Sequence, residues 1–289
     1  MIKNLTVIGS TGMIGTPVTK ELINAGFSVT LLVRDIEKAK KIFGDSVSYV
    51  SGDLEDRDSI AEAIKNADGL YINISTRPTD KENVFNPEIH GLDKILEVAA
   101  HAKNLKQIAY LSSFLARNYQ GDWWVFRAKK SSIERIKFSG IPYTIFYPSN
   151  FMENFKFGMV RNGKISILKT KTENKAWWIA GEDFGRQVAN AFKNELALNR
   201  EYPVQGPEGL TMKEAAERFV NAYTKEKLTV GYMPFILIKI LALFLPVMKY
   251  LSRLMSVMLN NVETFESQNT WNELGKPELT IEKFAIKNS

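Results

Sequence analysis

The first half of the chain alternates short apolar runs with segments in which apolar residues recur every three or four positions. Short runs of Val, Ile and Leu are typical of buried strands, whereas the second pattern is typical of helices with one buried face. Strands are predicted at Leu5–Gly9, Ser28–Val33, Ser46–Ser51, Leu70–Ile74, Gln107–Ser112 and Tyr143–Tyr147. Helices are predicted at Ile14–Ala25, Ile36–Phe43, Ser59–Lys65 and Pro87–Ala102. This alternation predicts an α/β fold, in which a doubly wound parallel sheet carries helices on both faces.

The second half has shorter apolar runs at wider spacing. They predict strands at Ile165–Leu168, Trp177–Ala180 and Tyr202–Gln205, and helices at Phe184–Phe192 and Thr211–Ala222. Asp183 stands where an N-cap would begin the first of these helices, and Thr211 with Glu214 forms a capping box for the second. We therefore predict two parts, with the parallel sheet in residues 1–155 and a smaller α/β lobe in residues 156–289.

The segment Pro234–Leu259 is the most apolar part of the chain and is predicted as one helix bent at Pro246. A narrow polar stripe runs along it at steps of three and four residues, formed by Lys239, Ala242, Pro246, Lys249, Arg253, Ser256 and Asn260. Because a bilayer span needs about 20 apolar residues, this interrupted segment is not predicted to cross a membrane. Its apolar surface must be covered, and the candidates are, in order, the protein's own core, a partner chain and the wall of an apolar substrate pocket. A membrane surface comes last and is not the expected partner, because only three basic residues mark the polar stripe.

A glycine-rich turn joins the first predicted strand to the first predicted helix. It reads Gly9-Ser10-Thr11-Gly12-Met13-Ile14-Gly15. In a dinucleotide site the first glycine makes the tight turn, the second lets the backbone approach the pyrophosphate, and the third lets the helix pack on the strand. The amides of the helix N-terminus then face the phosphates. We predict that these seven residues bind a dinucleotide, and the alternative is an ordinary strand–turn–helix connection.

Residues just after the second and third strands predict the adenosine end of the same site, because such sheets bind ligands beyond the carboxyl ends of their strands. Arg34 follows the second strand, where an arginine can pair with a 2′-phosphate, so NADP is the predicted cofactor. NAD stays possible because the acidic Asp35 follows directly. Asp53 and Leu54 follow the third strand and are expected to flank the adenine, unless Asp53 only begins a turn.

The loops after the fourth and fifth strands are expected at the nicotinamide end. They contain Ile74 and Ser75 after one strand and Ser112 after the next. Because Ser and Thr are also common turn residues, this assignment depends on where the loops lie in the fold.

The composition argues against several other kinds of chemistry. The chain has no cysteine, which excludes disulfides and thiol catalysis, and no cluster of His or Cys that would predict a metal site. Lys and Arg number 38 against 32 Asp and Glu, and the resulting net charge of +6 is not concentrated in a basic block. No specific binding of nucleic acid is therefore predicted. The chain enters a strand without a signal-peptide pattern, and a cytoplasmic location is expected.

Further motifs accompany the glycine-rich turn. They are Leu32-Val33-Arg34, Gly52-Asp53-Leu54, Tyr110-Leu111-Ser112-Ser113, Ser139-Gly140-Ile141-Pro142-Tyr143-Thr144, Pro148-Ser149-Asn150-Phe151-Met152-Glu153-Asn154 and Thr211-Met212-Lys213-Glu214-Ala215. With these motifs the whole chain resembles the NmrA-like branch of the atypical short-chain dehydrogenases/reductases. The resemblance implies an NAD(P)-binding Rossmann domain over residues 1–155 and a smaller C-terminal substrate lobe over residues 156–289. It also implies that Pro148, Asn150 and Phe151 contact the cofactor.

The chain departs from this family in the Tyr-x-x-x-Lys pair that conventional members use for proton transfer. If Lys129 matches the family's lysine, the tyrosine position is Val125; if Lys130 matches it, the position is Phe126. Neither side chain can donate a proton. Lys129 is a candidate contact of the nicotinamide ribose or the substrate, or else a solvated helix lysine. Tyr147 is a candidate catalytic residue, with Tyr119 as another reserve proton donor.

We therefore predict an NADP-dependent oxidoreductase that transfers hydride to a small apolar or aromatic acceptor such as a quinone. A quinone suits a site without the Tyr-Lys pair, because its reduced oxyanion is stable and can be protonated by water. The alternative is a non-catalytic regulator that senses the NADP redox state and binds a protein partner. A third possibility, implied by the resemblance, is a sugar-nucleotide epimerase-like enzyme, although that chemistry generally needs the missing tyrosine. A homodimer is a further possible assembly.

Overall fold

The computed structural model describes residues 2–157, 159–169 and 174–289. Its strands are β1 Asn4–Ile8, β2 Ser28–Val33, β3 Ser48–Ser51, β4 Gly69–Ile72, β5 Gln107–Leu111, β6 Tyr143–Pro148, β7 Val160–Arg161, β8 Lys164–Lys169, β9 Lys175–Trp177, β10 Arg200–Val204, β11 Gly209–Thr211 and β12 Thr229–Pro234. Its α-helices are α1 Gly15–Asn24, α2 Ile36–Phe43, α3 Arg57–Ile64, α4 Leu92–Ala99, α5 Phe114–Arg117, α6 Trp124–Phe138, α7 Asn154–Phe157, α8 Gly181–Lys193, α9 Met212–Ala222, α10 Phe235–Leu241, α11 Pro246–Asn260, α12 Gln268–Leu274 and α13 Ile281–Lys287. Pro87–Gly91 is a π-helical turn, and Glu195–Ala197 is a 3₁₀ turn.

The centre of the molecule is a seven-stranded parallel sheet in the order β10-β6-β5-β4-β1-β2-β3. Strands β1 to β6 are the six strands predicted from the first half, with ends that differ by at most two residues. The order reverses direction between β1 and β4, as in a Rossmann sheet. The predicted doubly wound α/β fold is confirmed. The seventh strand, β10, comes from the second half of the chain and pairs with β6.

Helices cover both faces of this sheet. On one face α1, α2 and α8 pack through buried side chains such as Val18, Leu22 and Phe184. On the other face α3, α4 and α6 pack through Ile60, Ile95 and others. Each fully buried side chain of this size contributes about 1.5–3 kcal/mol, so the two apolar layers stabilise the strand ends that carry the candidate site.

A smaller lobe lies beyond β6 and α8. Strands β12 and β8 pair in parallel, β7 and β8 pair antiparallel, and β11 pairs with β9. Its aromatic core contains Phe155, Trp178 and Phe219, and α9 and α13 contribute to it. The predicted capping box of α9 is confirmed, because Thr211 and Glu214 bond reciprocally at its first turn.

The predicted N-cap role of Asp183 is wrong. Helix α8 begins at Gly181, so Asp183 lies inside its first turn. The buried Asp183 carboxylate instead accepts hydrogen bonds from the backbone amides of Glu278 and Leu279, at 3.0 and 2.9 Å. It therefore ties the C-terminal segment to α8, a long-range role that no local pattern indicates.

The predicted single helix over Pro234–Leu259 is also wrong. Helix α10 ends at Leu241, and α11 begins at Pro246 after a short turn. Proline lacks an amide proton and is favoured at the first position of a helix, which explains why it starts a new helix here. Within the described part of the chain, no helix combines the length and the apolar character needed to span a membrane.

Candidate functional site

The glycine-rich turn lies between β1 and α1, and two of its glycines are required by the chain's own packing. Gly9 has a φ of +87°, and a Cβ placed on it would lie 1.9 Å from the carbonyl oxygen of Asn73. A Cβ on Gly15 would lie 1.9 Å from the carbonyl oxygen of Gly9. Both positions therefore exclude any side chain, because β1, the turn and the loop after β4 touch there through their backbones.

Gly12 differs from these two glycines. A Cβ on Gly12 would meet only the Gly9 carbonyl oxygen, at 3.4 Å, and nothing else within 4 Å. Packing within the protein therefore does not explain the glycine, whereas a pyrophosphate that approaches the backbone would. Helix α1 has no side-chain cap at Ile14. The Gly12 amide donates to the Gly9 carbonyl and the Thr16 amide to the Gly12 carbonyl, at 3.3 and 3.0 Å. The positive end of the helix dipole, more than a row of free amides, therefore favours a phosphate here.

Two buried hydroxyls at the carboxyl edge of the sheet have no hydrogen-bond partner among the described residues. They are Ser10 Oγ after β1 and Ser112 Oγ after β5. Both residues are at most 5% exposed. Thr76 Oγ1, which follows β4 between them, is also buried and faces the phenol of Tyr250. Because buried polar atoms are normally paired, hydroxyls left open along this edge fit a polar ligand such as a dinucleotide.

Arg34 and Asp35, which follow β2, have different roles. Arg34 is exposed and forms no ion pair with any described residue. The Asp35 carboxylate accepts a hydrogen bond of 2.9 Å from the amide of Lys38 and caps α2. The acidic residue that left NAD open is thus engaged in holding a helix, and the arginine is free to meet a phosphate.

The structure places Asp53 and Leu54 after β3, where they were expected. Asp53 is exposed, and its carboxylate accepts a hydrogen bond of 2.7 Å from the amide of Glu55. Asp53 thus begins a turn, as in the alternative interpretation of this residue from the sequence. Leu54 is partly buried against the apolar layer of α3 and α4.

The remaining loop residues lie beyond the sheet's carboxyl edge. Ile74 is buried two residues after β4, and Ser75 is exposed beside it. Pro148 ends β6, and the carbonyl of Asn150 accepts a hydrogen bond of 2.9 Å from Ile179. Phe151 packs on Phe184, with 5.6 Å between the ring centroids. The structure thus brings the predicted cofactor residues of six strands to one edge, as the parallel sheet requires.

Lys129 is buried in an ion pair rather than exposed. Its Nζ lies 3.0 Å from Oε2 of Glu88, which is fully buried, and the Tyr110 hydroxyl donates to the other carboxylate oxygen of Glu88. Burial, followed by the charge of Glu88, holds the pKa of Tyr110 well above its usual value. The carbonyl of Glu88 also accepts from Ser132, at 2.9 Å. The π-helical turn Pro87–Gly91 and α6 are therefore joined by this network.

Sequence reasoning missed Glu88, and it quoted Tyr110 only within a family motif, with no role of its own. The only local signal for Glu88 is the Pro87 that follows Asn86, because Asn86 caps the π-helical turn through the amide of Ile89. π-Helical turns often occur at functional sites, and this one delivers a carboxylate to Lys129.

Tyr147 lies apart from Lys129, on the β10 side of the sheet. It is 1% exposed, and its hydroxyl donates a hydrogen bond to Glu201 of β10. The Arg117 guanidinium lies 5.7 Å from the centroid of the Tyr147 ring. Burial, followed by the hydrogen bond to Glu201, raises the pKa of Tyr147 far above its ordinary value. A hydroxyl held in this way remains protonated, but it is already committed to Glu201.

The motif positions Val125 and Phe126 are buried in α6 and are covered by α11. Trp123 and Phe126 pack edge to face, with 5.3 Å between the ring centroids. Tyr250 of α11 packs edge to face on Trp123, at 5.0 Å. Burial raises the pKa of Tyr250, as does the charge of Glu88, whereas the Thr76 hydroxyl lowers it. The Tyr250 phenol therefore lies beside the loop after β4.

Tyr250 is a second residue that sequence reasoning missed. Tyr119, the predicted reserve donor, accepts a hydrogen bond of 3.0 Å from the Trp123 amide and holds the start of α6. Tyr250 is separated from the motif by more than a hundred residues, and only the packing of α11 on Trp123 brings it there. No spacing rule could have identified it.

Two buried carboxyls flank the loop after β6. Burial raises the pKa of Glu153 to about 7, although the amide of Gly181 donates to it at 2.8 Å. Burial likewise raises the pKa of Glu263 to about 7, against hydrogen bonds from Gln205 and Ser149. Among the described residues, no group of three or more His, Cys, Asp or Glu side chains could hold a metal ion.

The chain matches known proteins in sequence and in structure. The model of the NmrA-like family matches residues 1–283. The photosystem II assembly factor Ycf39 of Cyanophora paradoxa is 25% identical over an alignment of 213 residues, which covers 70% of this chain and 63% of that protein. The NAD(P)H azoreductase of Xenophilus azovorans is 24% identical over an alignment of 213 residues, which covers 73% of this chain and 71% of that protein. The chain thus spans less than two thirds of the length of the Ycf39 relative.

Solved structures share the fold over nearly the whole chain. The NADPH-dependent quinone oxidoreductase of Escherichia coli, in complex with NADPH, superposes with a TM-score of 0.73 at 15% identity. The superposition covers 98% of this chain and 99% of that chain. At this identity the similarity concerns the fold.

Proposed function

Because this chain belongs to the NmrA-like family of atypical short-chain dehydrogenases/reductases, we propose that it is an NADPH-dependent reductase of a small apolar or aromatic acceptor such as a quinone. The observation that carries the proposal is the pair of buried, unpaired hydroxyls of Ser10 and Ser112. They follow β1 and β5, on either side of β4, at the edge where such sheets bind dinucleotides.

The residues of the site suit the parts of NADPH in order along this edge. Gly12 would let the pyrophosphate approach the backbone at the N-terminus of α1, because no atom lies nearer than 3.4 Å to where a Cβ would stand and the helix dipole there favours an anion. Arg34 would hold the 2′-phosphate, since it is exposed and without an ion pair among the described residues. Thr76 and Ser112 would bond to the nicotinamide end.

Lys129 would orient the nicotinamide ribose or the acceptor. Glu88 and Tyr110 fix its position, because the buried carboxylate binds both groups at once. When bound, the dihydronicotinamide supplies the hydride. The apolar Val125 and Phe126 leave the motif without a proton donor, which suits an acceptor whose reduced form is a stable oxyanion.

Tyr250 is the proposed source of the one proton that must accompany the hydride. Its phenol lies beside Thr76, and burial keeps the pKa above its ordinary value, so the hydroxyl remains protonated at neutral pH. It can then donate to the developing oxyanion of a quinone and regain a proton from water. A hydride and one proton together convert a quinone to a hydroquinone.

The names of two similar proteins support an aromatic acceptor. One is called an NAD(P)H azoreductase and the other an NADPH-dependent quinone oxidoreductase. A second candidate function is an NADP-sensing regulator that binds a protein partner. Two observations favour it. Buried apolar residues, Val125 or Phe126, stand where the motif has its tyrosine, and one relative is named as an assembly factor rather than as an enzyme. An epimerase-like reaction is the third candidate. It is the least favoured, because that chemistry generally needs the tyrosine that Val125 or Phe126 replaces.

Calorimetric titration with NADPH and NADH, followed by turnover with quinones and azo dyes, tests the proposal. We expect NADPH to bind, quinones to be reduced and simple secondary alcohols to give negligible turnover with NADP. Oxidation of an alcohol needs a general base, which neither Val125 and Phe126 nor a protonated Tyr250 supplies, and such catalysis typically contributes 10²–10⁴-fold. Binding of NADPH without turnover of any acceptor would favour the regulator, and a failure to bind either nucleotide would overturn both.

A further inference from the structure

The helical hairpin of α10 and α11 leaves a group of large apolar side chains in solvent at the turn between its helices. We call this group the apolar corner; it consists of Ile236, Ile240, Leu243, Phe244, Leu245 and Val247. Leu243 and Phe244, at the tip of the turn, are 78% and 77% exposed. Contiguous exposed apolar surface of this kind marks a site of interaction rather than chance.

The opposite face of the hairpin packs on the rest of the protein, so the two helices do bury one apolar face and the apolar corner is exposed in addition to it. Ile238 is 3% exposed and anchors α10. Tyr250, Leu254 and Val257 of α11 pack on the cluster around Trp123. The inner face of the hairpin thus covers the protein, and the apolar corner projects away from it.

The charged residues of the hairpin itself are all basic. Residues 235–261 contain no Asp or Glu, and their ionisable side chains besides Tyr250 are Lys239, Lys249 and Arg253. All three basic residues are exposed, and none forms an ion pair with the described residues. Lys239 lies over the ring of Phe235, with Nζ 4.9 Å from its centroid.

From this arrangement we infer that the apolar corner inserts into the interfacial layer of an anionic lipid bilayer and docks the protein on a membrane surface. Exposed Leu, Ile and Phe enter the boundary of the acyl chains, while Lys and Arg meet the anionic headgroups. Helix α10 has seven residues and α11 has fifteen, too short to span, so the contact is peripheral.

A second copy of this chain suits the surface less well. A two-fold contact would place the same patch on both sides, so Lys239, Lys249 and Arg253 of each copy would face a surface with no acidic residue of the hairpin. Like charges brought together in this way disfavour the pair. A bilayer with anionic headgroups supplies both the apolar layer and the negative charge.

Co-sedimentation of the full chain with vesicles tests the inference without involving the cofactor. We expect binding to vesicles that contain phosphatidylglycerol, weaker binding to pure phosphatidylcholine and a decrease at high salt. Leu243→Asp/Phe244→Asp should lower the partition coefficient of the protein onto these vesicles by at least about tenfold, because two carboxylates would have to enter the boundary of the acyl chains. Lys239→Gln/Lys249→Gln/Arg253→Gln should lower it by up to about a hundredfold on anionic vesicles, since each basic residue contributes about fivefold.

Controls separate docking from damage to the fold. Phe138→Asp, at a side chain 89% exposed outside the apolar corner, should leave the partition unchanged. The circular dichroism and melting temperature of the Leu243→Asp/Phe244→Asp protein should match those of the wild type. Equal binding by that variant and the wild type would overturn the inference, as would a wild type that ignores anionic vesicles. A dimer that this variant dissociates, with no vesicle binding, would assign the apolar corner to a second copy instead.

Discussion

At the scale of single residues, the three glycines of the turn show which part of a motif serves the fold and which part serves a ligand. Gly9 and Gly15 face backbone carbonyls at distances that no Cβ can occupy, whereas Gly12 faces open space. Within seven positions, glycine is therefore required by packing at Gly9 and Gly15 but not at Gly12. Substitution at these positions should separate an effect on stability from an effect on ligand binding.

A pair of alanine variants tests it. Gly15→Ala should destabilise the protein by about 1–3 kcal/mol, because the backbone must shift to admit the methyl group. Gly12→Ala should leave the free energy of unfolding within about 0.5 kcal/mol of the wild type, as surface substitutions do. Its NADPH affinity should fall by about tenfold or more, which calorimetry would detect. Unchanged NADPH binding by Gly12→Ala would contradict a pyrophosphate at this turn.

Arg34 provides a second test at this scale. Arg34→Ala should weaken NADPH by about tenfold or more and barely change NADH, because charge-assisted bonds contribute about 1.5–3 kcal/mol. Arg200→Ala, at another exposed arginine, is the matched control and should change neither affinity. Equal losses of NADPH and NADH would show that Arg34 does not bind the 2′-phosphate.

Tyr250 is the residue on which proton delivery is predicted to depend. Tyr250→Phe keeps the ring on Trp123 and removes only the hydroxyl, so the stability and the affinity for NADPH should be unchanged. The turnover number with quinones should fall by about tenfold or more, because general acid catalysis contributes at least that much. Tyr232→Phe, at an exposed tyrosine of β12, should behave as the wild type. Equal turnover numbers for the Tyr250→Phe variant and the wild type would assign the proton to water.

At the scale of elements, the ion pair of Lys129 with Glu88 joins the π-helical turn to α6. Arg135 of α6 strengthens this contact, since it donates to the carbonyls of Glu88 and Ile89 at 2.8 and 3.0 Å. Lys129 therefore has a structural role in the folded protein whether or not it also contacts a ligand. Any loss of activity on its removal must therefore be separated from a loss of stability.

The separation uses one single and one double variant. Lys129→Met leaves the Glu88 carboxylate buried without its cation and should cost about 3–5 kcal/mol in urea unfolding. Glu88→Gln/Lys129→Met removes both charges and should recover a large part of that loss. Arg57→Met, at an exposed ion pair, should cost less than about 1 kcal/mol. If the double variant binds NADPH as the wild type does, Lys129 has no part in the cofactor site.

At the scale of the whole molecule, α8 packs on α1, which covers one face of the sheet, and Glu153 in the segment after β6 accepts a hydrogen bond from the amide of Gly181 at the start of α8. The pKa of Glu153 is raised to about 7 by burial, above the ordinary value of 4.5 that it has when the chain unfolds. The folded state therefore retains a proton that the unfolded state loses as the pH rises. Stability must decrease between these two pKa values and level off above the higher one.

Unfolding in urea at several pH values tests this dependence. Between about pH 4.5 and pH 7, Glu153 should lower the free energy of unfolding by up to about 1.4 kcal/mol per pH unit. Glu153→Gln removes the charge, and its stability should fall less steeply over this interval than that of the wild type. Glu97→Gln, at an exposed carboxylate, should follow the wild-type curve. Parallel curves for Glu153→Gln and the wild type would contradict the raised pKa.

The sequence by itself determined the strands β1 to β6, the helix α2 and the glycine-rich turn. Helix α2 was predicted over Ile36–Phe43 and has those ends, because Asp35 caps it and Gly44 follows it. Patterns of this kind depend on residues within about four positions of each other. They indicate where a strand ends, and a parallel sheet then places all such ends together.

Only the tertiary structure decided which distant residues meet. Glu88 and Lys129 are 41 positions apart, β10 joins β6 from the second half, and Tyr250 reaches Trp123 from α11. It also decided that Asp183 holds the C-terminal segment and that the apolar corner stays exposed. Each of these contacts depends on the path of the chain in three dimensions, which no local spacing of apolar and polar residues specifies.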